Sequence, residues 1–144
     1  MTSDQIIFIY LILFSFTIFL YDIKSKKMKK CINNNNNNIK IKIFSLLFIH
    51  QLLQVFGNFS WLFNNKTILK IYVITILLYI SFMYFTKNKC FLTKLINKIC
   101  KWDNRTRFND IFQIIGLKKY DSWNNFYHYV YMLFTIFIAI YKIM

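Results

Sequence analysis

Two histidines, three cysteines and a run of amides are the side chains of this sequence best suited to chemistry. His50, Gln51, Gln54, Gly57 and Asn58 recur at helical spacing. At about 100° per residue they fall within an arc of roughly 120°. Tyr127, His128, Tyr131 and Thr135 share a second such arc. An imidazole titrates near neutral pH, so a stripe of amides around His50 could relay protons or hold a small ligand. The same stripe could serve only to bond helix to helix, at about 0.6 kcal/mol per contact inside a membrane. The structural reading is favoured, because no Asp or Glu accompanies the histidine within its apolar segment. Haem held between His50 and His128 is disfavoured. Their segments run the same way, but His50 lies about five residues deeper, a mismatch of roughly 7–8 Å at helical rise.

The cysteines are Cys31, Cys90 and Cys100. They form no C-x-x-C motif and no Cys/His cluster, which argues against zinc. No cofactor or metal is expected. Cys90 lies among Lys87, Lys89 and Lys94 beside an apolar segment, and Cys100 ends an amphipathic stretch. Both are candidate lipidation sites, with unmodified thiols the plainer reading. No sequence spacing supports a catalytic Cys–His pair. Paired carboxylates, a P-loop, an HExxH motif and a nucleophile elbow are absent, so a non-enzyme is expected. The sequons at Asn58, Asn65 and Asn104 read as chance in so Asn-rich a chain. The cluster from Trp102 through Asp103 to Arg107 reads as a solvated turn.

These residues must be positioned by unusually apolar elements. Of 144 residues, 57% are hydrophobic and 17% charged, with no Pro. A membrane-crossing helix needs about 20 mostly apolar residues. Residues 5–21, 43–63, 67–85 and 126–143 qualify or nearly do. The runs are continuous and do not alternate, which favours helices over a barrel. Residues 1–5 carry no Lys or Arg and no small-x-small site follows, so the first segment reads as an uncleaved anchor.

Charge gives direction. The net charge is +14. Ile, Lys, Asn, Phe and Tyr dominate and Ala139 is the sole alanine, a bias that A/T-rich codons would produce. Such a bias explains part of the lysine count but not its placement. Residues 22–42 and 86–125 together hold 16 of the 19 cations. Four spans put both stretches on one side, and the positive-inside rule makes that side cytoplasmic, with both termini outside. All three cysteines then face a reducing compartment. Nucleic acid is disfavoured, because the cations flank the apolar segments instead of forming one patch.

Between the segments, the run Asn33 to Asn38 reads as a disordered spacer within a linker at 32–42. Residues 64–66 form a tight hairpin connection. Residues 90–116 read as amphipathic. Phe91, Leu92, Leu95, Ile96 and Ile99 define one apolar face, with Lys94, Lys98 and Lys101 on another. Phe108, Ile111, Phe112 and Ile115 define a second helix, started by Thr106 and stopped at Gly116. Such basic helices lie in the membrane interface or pack under the bundle.

His50 and the element Cys90-Phe91-Leu92-Thr93 resemble the outline of an uncharacterised family of small helical membrane proteins found in bacteria and large DNA viruses. That family has an early-span His and a C-x-L-T element after the next span. Met83-Tyr84 departs from it, where His-Trp is usual. The resemblance implies a membrane fold and no established activity.

The sequence therefore predicts an all-α fold in a single domain over 1–144. It is an integral membrane four-helix bundle with one or two cytoplasmic amphipathic helices. The expected role is structural or partner-interacting, with contact to anionic lipid and room for a homo-oligomer. The alternatives are a small transporter or proton channel using the stripe, and a membrane-embedded enzyme using Cys90 or His50.

Overall fold

The structure, a computed structural model, describes residues 2–85, 90–102 and 121–144, with the backbone alone for Met83 and residues 121–128. Among the described residues it is all-helical. The α-helices are α1 (Ser3–Lys24), α2 (Lys26–Asn33), α3 (Asn37–Phe59), α4 (Lys66–Phe85), α5 (Phe91–Ile99) and α6 (Asp121–Ile143). A 3-10 turn, Ser60–Leu62, follows α3.

Small polar residues punctuate the apolar runs. Thr2 and Gln5 form a reciprocal capping box that starts α1. Ser25 ends α1 and also caps α2, its hydroxyl accepting from Met28 N at 3.3 Å. The Asn run differs from the expected spacer. Asn35 Nδ2 donates to Cys31 O at 2.7 Å, and Asn36 Oδ1 accepts from Ile39 N at 3.0 Å to start α3. The physical reason is that asparagine side chains compete well for backbone groups at helix ends. The linker thus shrinks to a turn, and α3 begins at Asn37 rather than near residue 43.

At the other end, Asn65 Oδ1 accepts from Thr67 N and Ile68 N and caps α4. Asp4 accepts from Asn64 N at 2.9 Å and Asn65 N at 3.0 Å, tying the start of α1 to that turn. Lys142 Nζ donates to Trp61 O, Leu62 O and Phe63 O, and Lys66 Nζ donates to Ile143 O. Two of the few cations at this end thus satisfy backbone carbonyls left over at helix ends.

The helices pack as pairs: α1 on α3, and α4 on α6, with α5 laid against α3. Leu11, Ile18, Val55 and Phe63 fill the first seam. Leu69, Tyr72, Ile76, Met132, Ile136 and Ala139 fill the second. Gly57 faces α4, where a Cβ would meet Ile76 Cδ1 at an ordinary contact distance of 3.7 Å. Beyond these seams the helix surfaces stay apolar: Tyr10, Leu53, Leu78 and Phe137 are each more than 60% exposed. Ser3–Lys24 and Asn37–Leu62 are long and apolar enough to cross a membrane.

Helices α1, α3, α4 and α6 overlie the four predicted apolar segments. A helix, α5, is present over the first of the two stretches read as amphipathic, while the second, at 107–115, lies outside the described residues. Helix α2 was not anticipated. Its Met28 and Cys31 are buried, and Lys26, Lys27, Lys29 and Lys30 are exposed.

Candidate functional site

Helix α5 lies alongside α3 because Ile96 enters a core with Ile43, Leu47, Met28 and Cys31. Contacts near residues 43 and 47 at one end, and near His50 at the other, mean that α5 runs back along α3. This packing carries Cys90, the residue preceding α5, to the histidine. Cys90 Sγ lies 3.6 Å from His50 Nδ1. Tyr79 of α4 interacts electrostatically with Cys90 and with Tyr129 of α6. Residues from α3 and α4 thus approach the sulfur that starts α5.

Burial of the half-buried Cys90 thiol opposes its ionisation. The His50 hydrogen bond and charge, with the N–H groups of Thr93 and Leu92, outweigh that burial and lower the thiol to about 7. Cys90 makes no side-chain capping hydrogen bond, so the N–H groups act on the sulfur mainly through their field. A thiolate at a helix N-terminus beside a histidine is the usual setting of a reactive cysteine. The arrangement can therefore supply a nucleophile and a proton carrier at neutral pH. Forty residues separate the two side chains in sequence, so no local spacing signals the pair.

The predicted polar stripe divides. Gln51 is fully buried, and its Nε2 donates to Asp22 Oδ2 across to α1. Asp22 is itself only 2% exposed. Helix packing thus inserts the last acidic residue of α1 beside Gln51, although the apolar segment that holds His50 has no Asp or Glu of its own. The other end of the stripe turns toward α6. Tyr131 Oη donates to Asn58 O at 2.8 Å, and Trp61 Nε1 donates to Asn58 O and to Tyr131 Oη. Tyr72 Oη shares its one proton between Thr135 Oγ1 at 2.8 Å and Gly57 O at 3.3 Å. Among the described residues, Gln51 Oε1, Gln54 Oε1 and Asn58 Oδ1 accept no hydrogen bond. The side chain of His128 lies outside the described residues.

The expectation of three free thiols is corrected for one pair. Cys31 and Cys100 form a disulfide with Cα atoms 5.3 Å apart, leaving Cys90 as the free cysteine. Helices α2 and α5 bury Met28, Cys31 and Ile96 with Ile43 and Leu47 of α3, which brings the two sulfurs together. Bound in this way, Cys100 offers no thiol for lipidation. The clamped helices present Lys26, Lys27, Lys29, Lys30, Lys94 and Lys98 outward, all exposed. Among the described residues no group of three His, Cys, Asp or Glu side chains could hold a metal ion.

Comparisons with protein-family models, characterised proteins and solved structures find no significant match.

Proposed function

We propose that the protein is a four-span integral membrane protein whose lysine-rich end docks on anionic lipid headgroups, and that its role there is structural or partner-interacting. The carrying observation is the exposed lysine platform built by α2 and α5 at one end of otherwise lipid-compatible helices. Soluble monomers seldom expose contiguous apolar patches beyond a few hundred Å². Here apolar side chains face outward along α1, α3, α4 and α6. Each lysine near an anionic surface contributes about 1 kcal/mol.

Orientation is drawn from the same lysines, which favour a cytoplasmic platform and outside termini. The Cys31–Cys100 disulfide argues the other way, because cytosolic thiols are ordinarily reduced. The cations carry more weight in this reading: 16 of them lie in two separate stretches of sequence, 22–42 and 86–125, whereas one adjacent cysteine pair opens or closes with the redox poise. The test is reconstitution in nanodiscs of mixed phosphatidylcholine and phosphatidylserine. The platform predicts phosphatidylserine enrichment around the protein, lost when Lys26, Lys27, Lys29 and Lys30 are changed to Glu. Equal enrichment in that variant defeats the reading.

A second reading, a small transporter or proton channel, rests on the open carbonyl oxygens of Gln51, Gln54 and Asn58. It predicts pH-dependent liposome flux that disappears in His50→Ala.

A further inference from the structure

We propose that Cys90 is a His50-activated thiol that accepts a long-chain acyl group from an acyl thioester with a polyanionic headgroup. The inference rests on the membrane reading for its substrate class, but the thiol chemistry stands on the packing of α5 against α3. Three observations define the substrate. The sulfur is 3.6 Å from an imidazole nitrogen, within hydrogen-bond range for sulfur. Exposed aromatic side chains flank it in sequence: Phe91 is 56% exposed and Phe85 82%. One turn further along α5, Lys94 is exposed, and Lys98 follows at the next turn. A chain of methylenes suits exposed aromatic residues such as Phe91, and phosphate groups suit the lysines.

The step balances without an oxidant or reductant. His50 takes the Cys90 proton. The thiolate attacks the thioester carbonyl carbon, and a new carbon–sulfur bond forms to Cys90. The bond from that carbon to the donor sulfur breaks, and the departing thiolate recovers the proton from the imidazolium of His50. The product is an S-acylated Cys90 and a free donor thiol. Cys31 and Cys100 are excluded as acceptors while they are joined to each other.

The experiment uses the full chain in detergent micelles with alkyne-tagged palmitoyl-coenzyme A as the probe. Micelles need no bilayer topology, so failure here is distinguishable from failure of the membrane reading. The expected result is hydroxylamine-sensitive label on Cys90, absent in Cys90→Ser. His50→Ala and His50→Asn should slow labelling at least tenfold at pH 7 and move its pH midpoint upward. Retention of the Cys31–Cys100 disulfide and of helical circular dichroism reports that these variants fold. Should they fail to fold, iodoacetamide alkylation of the wild-type chain keeps the test open. A midpoint near pH 7 supports the proposal, and one in the ordinary thiol range overturns it. Label persisting in Cys90→Ser, or unchanged rates in folded His50 variants, overturns it as well.

Discussion

Asp22, in the last turn of α1, and Gln51, in the middle of α3, meet in a buried side-chain hydrogen bond that joins helices whose sequences give no sign of contact. Removing one partner of a buried bond to a carboxylate strands the other. Asp22→Leu or Gln51→Leu should therefore cost about 1.5–3 kcal/mol of stability. The double variant should lose less than the sum of the two, because the two side chains share one bond. Denaturant titration of the three variants in detergent checks this, and strict additivity would show that the pair does not act as a unit.

The Cys31–Cys100 bridge closes a loop of 69 residues. Chain entropy assigns such a closure roughly 4 kcal/mol in the oxidised protein. Cys31→Ala should loosen α2, so trypsin should cleave at Lys26, Lys27, Lys29 and Lys30 at least tenfold faster than in the bridged chain. An unchanged cleavage pattern would mean that Met28 and Ile32 packing alone holds the helix. Acid-trapping of thiols in intact cells also reports orientation: a cytoplasmic platform predicts that the pair is mostly reduced there.

Gly57 makes an unusual forecast. A Cβ at this position meets only Ile76 Cδ1, at ordinary van der Waals distance. Gly57→Ala should therefore be tolerated and should stabilise α3 by about 0.4–1 kcal/mol, through lower freedom of the unfolded chain. Gly57→Phe should separate the helix pairs and break the bond from Tyr72 to Gly57 O. Thermal unfolding of the two variants should shift in opposite directions, and a loss of stability in Gly57→Ala would contradict the described approach of the helices.

Tyr131→Phe distinguishes the two roles of the stripe. It removes the bond to Asn58 O, while Trp61 still donates to that carbonyl. An interhelical role predicts a loss near 0.6 kcal/mol, typical of such contacts in a membrane. It also predicts no change in liposome proton flux. A flux change without a stability change would favour the channel reading.

Helical class and the positions of the long elements were legible in the sequence, because apolar length and terminal polar residues are local properties. The first helix is an example: Thr2 and Gln5 cap an uninterrupted run of Ile, Phe and Leu. The Asn run misled. Polarity suggested a spacer, whereas Asn35 and Asn36 fold it into a pair of caps. Helix α2 was missed because only Met28, Cys31 and Ile32 break its lysines, too short a period to read alone. The Cys90–His50, Cys31–Cys100 and Asp22–Gln51 pairs were illegible for a common reason. Each joins residues 29 or more apart, and their meeting depends on which face of α3 each neighbour covers.

The central claim is that the lysine platform and the Asn64–Asn65 turn lie on opposite sides of a membrane. It is tested most directly by placing single reporter thiols with Lys27→Cys or Asn64→Cys in a background in which Cys31, Cys90 and Cys100 are all changed to Ser. Each variant is exposed to an impermeant maleimide in sealed, uniformly oriented vesicles. The account predicts that one position reacts in intact vesicles and the other only after permeabilisation, with Lys27 on the cytoplasmic side. Equal reaction of both from the same side, or recovery of the chain as a detergent-free monomer, would contradict it.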